Sequence, residues 1–352
     1  MAGLRRRGEL IRQYILAHVT QNPGSIAIQT AQEFGITRQA VNKHIKRLIE
    51  QGVLAAEGTS RNRRYYLHQE ETWSQSYNLL ENLQEDIVWG KEISSQLNTL
   101  PINVLDIWNY GFTEMFNNAI DHSNGHSVTV HLVKTPTETQ IFIADDGEGI
   151  FCKIQRELDL LDERHAVLEL SKGKLTTDPV HHSGQGIFFS SRIFDHFVIF
   201  SGNISFSHEY EKIEDWIIER DLPKTGTIVY MALKNNTSRT CKDVFDQYSA
   251  PLEEDYGFIK TVVPVKLVQY GNELLVSRSQ AKRLMARVDK FKVVILDFDK
   301  IDAVGQAFAD EVFRVFLNRH PDIQLHAINT NDDVKQMILR AGGKYSLEKD
   351  VY

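Results

Sequence analysis

EMFNNAIDH, at residues 114–122, and DDGEG, at residues 145–149, together decide the fold of the middle of this chain. The first stretch ends a helical pattern whose apolar residues share one side, while Glu114, Asn118 and Asp121 cluster on the other. The second follows a buried strand pattern, and its two glycines allow a tight turn and the close approach of a ligand to the backbone. An acid and an amide one helical turn apart, followed by this turn, predict a nucleotide site.

Two more glycine-containing stretches follow. Ser183-Gly184-Gln-Gly186 precedes a predicted helix at 187–194, and the N-terminal amides of a helix suit phosphate oxygens. Thr225-Gly226-Thr227 precedes a predicted strand at 228–233. The sequence contains no G-x-x-x-x-G-K-[ST] motif, which excludes a P-loop. Together these stretches predict that the chain binds ATP and Mg²⁺ at a site that is not a P-loop.

The three glycine stretches, in this order behind the acid–amide helix, resemble the Bergerat-type (GHKL) superfamily of gyrase, heat-shock chaperone, histidine-kinase and MutL ATPases. The resemblance covers about residues 80–235 and implies an α/β sandwich that binds ATP and Mg²⁺. It implies that Asn118 offers Mg²⁺ a neutral oxygen, beside water and phosphate oxygens. It also implies that Glu114 is the general base for an attacking water. The implied nucleotide contacts are Asn118, Asp121, Asp145, Gly147, Gly149, Gly184, Gly186 and Thr227.

The same resemblance assigns roles to these contacts. It implies that Asp145 accepts a hydrogen bond from the adenine amino group and that Thr227 lies near the adenine. The first glycine pair then shapes the pocket floor, and the second pair presents amides to the phosphates. Residues 151–183 are expected to form a mobile lid, in which Lys172 and Lys174 are either phosphate contacts or solvated lysines. The histidines that either line the site or lie on the surface are His122, His181 and His182.

The first 68 residues predict three helices and a two-stranded wing. Apolar residues of the first helix recur at helical spacing until a Pro-Gly pair breaks it. Ser25 and Thr37 are the predicted N-caps of the second and third helices. The predicted elements after the first helix are helices at 26–34 and 38–51 and short strands at 53–54 and 65–67.

This head of the chain is basic. Residues 1–68 contain eleven Lys or Arg and four Asp or Glu, which gives a charge of +7 and leaves −14 on the rest. The head resembles the winged helix-turn-helix family of bacterial regulators. That resemblance implies a third helix in the major groove of double-stranded DNA and a wing tip that neutralises phosphates. The alternative is a solvated basic face on a protein-interaction module. The implied DNA contacts are Arg38, Gln39, Asn42, Lys43, Lys46, Arg61, Arg63 and Arg64.

The tail alternates strand and helix patterns, which predicts a small α/β domain. The predicted strands are 262–268, 273–276, 292–298 and 323–328, and the predicted helices are 280–288, 302–317 and 332–339. Over about residues 260–345 the order resembles STAS domains, those of anti-anti-sigma factors. Ala303 stands where those proteins carry a phosphoacceptor serine, so phosphorylation at that position is excluded. Ser277 and Ser279 are the nearest alternatives, or they are polar loop residues.

The chain as a whole is expected to be a multidomain α+β protein. Its predicted parts are a winged helix at 1–69, a Bergerat α/β sandwich at 70–240 and a small STAS-like α/β domain at 255–352. Residues 70–100 are rich in helix formers and predict helix. No apolar run approaches the ~20 residues that a membrane span needs. Two cysteines without a pairing framework predict a reduced, cytoplasmic protein with no membrane contact.

These predictions support one leading hypothesis and two alternatives. The leading one is an ATP-responsive, DNA-binding transcription regulator whose STAS-like tail contacts a protein partner or a second copy in a homodimer. The first alternative is a serine/threonine protein kinase of the anti-sigma-factor type, acting on a separate partner. The second is a DNA-engaged ATPase clamp, although no later domain with a catalytic lysine is identifiable. Whether ATP is slowly hydrolysed, transferred or only sensed stays open.

A sensor histidine kinase is a fourth class that the sequence disfavours. Such kinases carry a phosphoacceptor His-Glu or His-Asp on a helix before the ATP domain. Here the upstream segment offers only His68-Gln-Glu70, at the end of a predicted strand.

Overall fold

The computed structural model of the protein describes residues 2–59, 62–67, 71–175, 184–210, 215–219, 225–249, 257–269 and 273–342. Helices and sheets are mixed in more than one domain, which confirms the predicted multidomain α+β class. The chain divides into two compact units. The first comprises Met1–Trp73 with Leu132–Thr139, and the second comprises Ser74–His131 with Gln140–Tyr352. Among the described residues, no helix is long and apolar enough to cross a membrane.

The head, in the first unit, consists of three helices and a two-stranded wing. Its elements are α1 Ala2–His18, α2 Ile26–Phe34, α3 Arg38–Glu50, β1 Leu54–Glu57 and β2 Arg64–Leu67. The wing strands pair antiparallel, with Leu54 opposite Leu67. Ile15, Ile26 and Val41, one from each helix, are fully buried in a shared core. The predicted winged-helix fold is therefore confirmed.

The two predicted helix caps have different outcomes. The Thr37 hydroxyl accepts a hydrogen bond from the Ala40 N–H, so the cap of α3 is confirmed. Ser25 occupies the N-cap position of α2 but makes no capping bond, so that prediction is wrong. Its backbone is already helical, whereas a capping side chain needs an extended backbone at this position. The Ser25 hydroxyl instead accepts a hydrogen bond from the Gln29 amide.

A seven-stranded sheet follows the head in the chain. Its strands are β3 Glu71–Asn78, β4 Ser127–Lys134, β5 Glu138–Asp145, β6 His196–Ser201, β7 Ile204–Glu209, β8 Asp215–Glu219 and β9 Thr227–Lys234. Their order across the sheet is β3-β4-β5-β9-β6-β7-β8. Burial alternates along β4 and β5, so residues such as Val130 and Ile141 are buried on one face. This alternation is typical of a sheet with one covered face.

Strand β3 corrects the helix predicted over residues 70–100. Its chain pairs with β4, and the Ser74 hydroxyl donates to the Val130 carbonyl. Most residues of β3 are exposed, so the sequence shows no alternation of buried and exposed positions that would indicate a strand. The helix prediction rested on composition alone, and it is wrong for this segment. The predicted helix begins only after this strand, with α4 Glu85–Val88, a π-helical turn Trp89–Ile93 and α5 Ser94–Leu97.

The helices around this sheet are centred on α6, Ile102–His122. Its apolar side buries Trp108, Phe112 and Phe116, as the spacing of these residues predicts. Trp108 packs against Phe194, with ring centroids 4.8 Å apart. The other helices of this part are α7 Ile150–Glu157, α8 Glu163–Lys172, α9 Gly186–Ile193 and α10 Cys241–Tyr248.

The tail is a three-stranded parallel sheet in the order β10-β11-β12, with helices between the strands. Its elements are β10 Lys260–Pro264, α11 Arg278–Met285, β11 Val293–Asp297, α12 Gln306–Asp310, α13 Leu317–Arg319, β12 Gln324–Ile328 and α14 Asp332–Ala341. A π-helical segment, Glu311–Phe316, joins α12 to α13. The predicted alternation of strand and helix is confirmed.

Three boundaries in the tail differ from the prediction. The long helix begins at Gln306 instead of at residue 302. The Asn331 amide donates to the carbonyls of Ile301 and Asp302, and Val304 forms a bridge with Leu275, so residues 301–305 are not helical. The strand predicted at 273–276 is only a bridge between Leu275 and Val304. The strand predicted at 262–268 ends at Pro264 and continues as a 3₁₀ turn.

Candidate functional site

A cavity of about 310 Å³ lies in the second unit, beside the polar side of α6. Its size falls at the lower end of the range typical of small-molecule sites. The predicted site residues that line it come from α6, from the end of β5, from the start of α9 and from the start of β9. They are Glu114, Asn118, Asp145, Gly184, Gly186 and Thr227. These residues, up to 113 positions apart in sequence (Glu114 and Thr227), therefore meet at one cavity.

Asp145 is held by backbone amides at the end of β5. Its Oδ1 accepts hydrogen bonds from the N–H groups of Gly147, at 2.9 Å, and Thr227, at 3.2 Å. Burial raises the pKa of this carboxyl, and the two backbone hydrogen bonds oppose that rise. One carboxylate oxygen thus fixes the turn, and a carboxyl held this way has a defined direction toward the cavity that it lines.

The neighbouring glycines allow backbone segments to approach more closely than side chains permit. A Cβ at Gly147 would overlap the Ser123 carbonyl oxygen at the end of α6. A Cβ at Gly226 would overlap the Asp145 carbonyl oxygen, and Gly226 also has a φ of +82°. The Gly226 N–H donates to the Gly147 carbonyl at 2.7 Å. Gly147 therefore shapes the cavity through the turn and is not one of the residues that line it.

Gly149 and Thr227 complete this turn. Gly149 has a φ of +91°, and a Cβ there would lie 2.6 Å from the Ser201 hydroxyl oxygen. The Thr227 hydroxyl accepts a hydrogen bond from the Ile150 N–H at 3.0 Å. Thr227 is buried and lines the cavity, so it joins the first turn of α7 to the wall that carries Asp145.

Glu114 lies against the start of α9. A Cβ at Gly186 would overlap Oε2 of Glu114, so any larger residue there would force this carboxylate to move. Burial raises the pKa of Tyr110, one turn earlier on α6, and the negative charge of Glu114 raises it further. Asn118 lies one turn after Glu114 and also lines the cavity. The acid and the amide therefore share the cavity wall, as the spacing predicts.

Asp121 is placed differently from its predicted partners. It is exposed and is not one of the residues that line the cavity, whereas His122 does line it. At about 100° per residue Asp121 falls close to the helical angle of Glu114, but it lies two turns further along, at the exposed end of α6. His122 is therefore a wall residue, while Asp121 lies beyond the part of α6 that lines the cavity.

The predicted lid is partly helical. Residues 151–172 include most of α7 and all of α8, while residues 176–183, with His181 and His182, lie outside the described residues. Lys172 is only 1% exposed and donates to Glu169 and to two carbonyls of the tail, so the prediction of a phosphate contact or a solvated lysine is wrong for it. Lys174 donates to the Lys290 carbonyl at 2.8 Å. Burial lowers the pKa of both lysines.

Lys153 is a wall residue that the sequence did not reveal. Its Nζ donates to the His122 carbonyl at the C-terminus of α6, at 2.8 Å, and the residue lines the cavity. It is the one lysine or arginine among the described lining residues. A lysine one turn after a glycine turn is common on solvated helices, so no sequence signal distinguished it.

The basic face predicted for DNA is exposed. On α3, Arg38, Gln39, Asn42, Lys43 and Lys46 all face solvent. Arg63 and Arg64 of the wing are exposed as well, and Arg61 lies outside the described residues. The opposite side of α3 buries Val41, Ile45 and Leu48 in the core. The amphipathic pattern thus separates packing residues from residues available to a polyanion.

The alternative phosphoacceptors of the tail have structural partners. Ser277 caps α11: its hydroxyl accepts from the Gln280 N–H, and the Gln280 side chain accepts from the Ser277 N–H. Ser279 lies 3.0 Å from Ser277, oxygen to oxygen. Such reciprocal capping explains both the serine and the glutamine without phosphorylation.

Comparison with known families assigns the two ends of the chain. Residues 11–55 match the family described as winged helix-turn-helix DNA-binding, so the head is a DNA-binding domain of this type. Residues 280–335 match a family described as a STAS-like domain of unknown function, which confirms the STAS-like prediction for the tail. Neither match includes a residue of the cavity. No curated protein sequence matches the chain significantly.

Proposed function

We propose that this DNA-binding regulator binds Mg-ATP in the cavity beside α6 and that nucleotide binding alters its affinity for DNA. One observation carries the proposal: a carboxylate fixed by two backbone amides and an acid–amide helix line the same cavity. The fixed carboxylate suits the base of a nucleotide, and the acid–amide helix suits its phosphates and their metal. A cavity with a purely structural role needs neither of these features.

The base end is formed by Asp145 and Thr227. Oδ1 of Asp145 is already used by two N–H groups, so the second carboxylate oxygen is the acceptor for the amino group of adenine. Guanine presents an oxygen at the corresponding position and repels a carboxylate there. The proposed site therefore selects ATP over GTP through Asp145.

The phosphate end is formed along α6 and at the start of α9. Asn118 supplies one neutral oxygen to Mg²⁺, which takes its other ligands from water and phosphates. The backbone amides at Gly184 and Gly186 lie at a helix N-terminus, where phosphate oxygens are favoured. Lys153 adds a positive charge to a wall that otherwise carries carboxylates, which offsets part of the repulsion of a triphosphate.

The test of the whole proposal is DNA affinity with and without Mg-ATP. Duplexes selected from a random pool by the full chain serve as the DNA, and ATP binding is titrated in parallel. We expect the dissociation constant for DNA to change at least about five-fold at saturating Mg-ATP, because coupling requires unequal binding to two states. Equal DNA affinities in a chain that binds both ligands contradict the coupling.

Replacing Asp145 with asparagine is expected to lower ATP affinity by about 10- to 100-fold, the cost of losing a hydrogen bond to a charged group. Asparagine keeps an oxygen for the Gly147 and Thr227 amides, so the turn is retained. Its amide nitrogen is a donor and faces the adenine amino group. We therefore expect the preference for ATP over GTP to narrow, measured by competition titration. An unchanged ratio of the two affinities removes Asp145 from base recognition.

Glu114→Gln tests whether ATP is consumed. If Glu114 is the general base, the variant binds Mg-ATP with nearly unchanged affinity but releases labelled phosphate from γ-labelled ATP at least about 100-fold more slowly. The isosteric amide still fits against Gly186, so the fold is kept. Equal release by both proteins excludes this role. Label recovered on the protein or on an added partner supports the kinase alternative.

Lys43→Ala tests the DNA face of α3. Lys43 is exposed, so the stability of the head should be unaffected. We expect weaker binding to all duplexes and a salt-dependence slope smaller by about 1, which corresponds to one lost phosphate contact. Lys335→Ala, at an exposed position on α14, is the matched control and should leave the slope unchanged. Equal slopes for both variants exclude the α3 contact.

A further inference from the structure

Helix α8 lies between the cavity and the STAS-like tail. Leu170, near its end, lines the cavity, as does Leu175 just beyond it. Glu169 and Lys172, which flank Leu170, instead make bonds connected to the tail. One short segment therefore has a wall of the cavity on one side and the tail on the other.

A buried ionic cluster fixes this contact. Lys172 Nζ lies 2.8 Å from a Glu169 oxygen, 2.8 Å from the Ala286 carbonyl and 3.1 Å from the Arg283 carbonyl. Arg287 of the tail lies 3.2 Å from the other Glu169 oxygen. Glu169 is only 5% exposed, so its charge is separated from water and depends on these two partners.

Backbone and aromatic contacts extend the contact between the end of α8 and the tail. The Thr261 hydroxyl in β10 donates to the Lys172 carbonyl at 2.7 Å. Phe258, just before β10, packs so closely on Gly173 that a Cβ there would lie 2.8 Å from its ring. The same ring lies 4.7 Å, between centroids, from that of Phe188, which lines the cavity. The tail therefore touches two separate parts of the cavity wall.

We infer that ligand binding in the cavity is coupled to the tail through α8. The Glu169–Lys172–Arg287 cluster is the element that connects the two. This inference rests on the proposed nucleotide site and adds the route by which it acts on the tail. A ligand that orders the wall at Leu170 and Phe188 also orders the groups bonded to the tail. Tail contacts and nucleotide binding are then thermodynamically linked, and each strengthens the other.

Amide hydrogen exchange of the full chain tests the route. We expect saturating Mg-ATP to slow exchange at least about five-fold in peptides covering Lys260–Pro264 and Arg278–Met285. Unchanged exchange in the tail, in a protein shown by titration to be saturated, overturns the inference and leaves the nucleotide site intact. Absence of any ATP binding overturns both.

A double variant, Glu169→Gln with Lys172→Met, separates the cluster from general contact. It keeps the volume of both side chains and leaves an acceptor for Arg287. We expect it to bind ATP but to lose the protection of the tail peptides. Asp333→Asn with Lys335→Met, at exposed positions on α14, is the matched control and should keep that protection. Tail protection of equal size in the two double variants excludes the cluster as the connecting element. Should the cluster variant fail to fold, the exchange of the unaltered chain still decides whether the tail responds to nucleotide in the cavity.

Discussion

Gly226→Ala is expected to destabilise the second unit by about 2–4 kcal/mol and to abolish ATP binding. A methyl group at this position overlaps the Asp145 carbonyl oxygen, and the φ of +82° is unfavourable for alanine. To remove this overlap, β9 must move away from the end of β5. That movement breaks the hydrogen bond from the Thr227 N–H to Asp145. Denaturant unfolding measures the stability, and titration with Mg-ATP measures the binding.

Gly90→Ala is the matched control for this prediction. Gly90 lies in the π-helical turn before α5, and a Cβ there meets no atom within 4 Å. Alanine in a helix is favoured over glycine, so this variant should be as stable as the parent or slightly more stable. Equal unfolding midpoints for the two variants contradict the close approach of strands at Gly226.

Asn118→Ala is expected to weaken Mg-ATP binding by about 10- to 100-fold while the fold remains intact. The side chain lines the cavity on the polar side of α6 and is not part of its apolar core. Because Asn118 acts through Mg²⁺, removal of the metal with EDTA should weaken ATP binding in the parent chain but scarcely further in the variant. This non-additivity is the signature of two changes that remove one interaction.

Asn109→Ala controls for the loss of an asparagine from the same helix. Asn109 is exposed on α6 and does not line the cavity, so both ATP affinity and its dependence on Mg²⁺ should match the parent. A full EDTA effect in Asn118→Ala removes Asn118 from the proposed metal contacts.

The parts of the fold predicted from sequence are those with a strong local pattern. Helix α6 carries a continuous apolar stripe, and Thr37 has the backbone that a cap requires, so both follow from neighbouring residues alone. Gly147 was predicted from the Asp-x-Gly-x-Gly spacing, and it stands where two backbone segments approach. Gly226, in the stretch that precedes the last strand, stands at a second such approach. A close approach of two backbone segments requires glycine, so the residue type itself indicates such a position.

The parts that were missed depend on distant partners. Strand β3 pairs with β4, whose residues lie more than 50 positions away, and its own composition favours helix. From its neighbours in sequence, Lys172 is expected to be a solvated lysine. In the folded chain it is buried, because Glu169 and the carbonyls of the tail accept its hydrogen bonds. Lys153 becomes a wall residue only because α7 packs on the end of α6. Local sequence does not contain this information.

Isothermal titration of the full chain with ATP in the presence of Mg²⁺ tests the central claim most directly. The proposed site predicts one ATP per chain, an affinity that falls when EDTA removes the metal, and weaker binding in both Asp145→Asn and Asn118→Ala. No binding by a folded chain, or ATP binding that neither substitution weakens, contradicts a nucleotide site in the cavity beside α6.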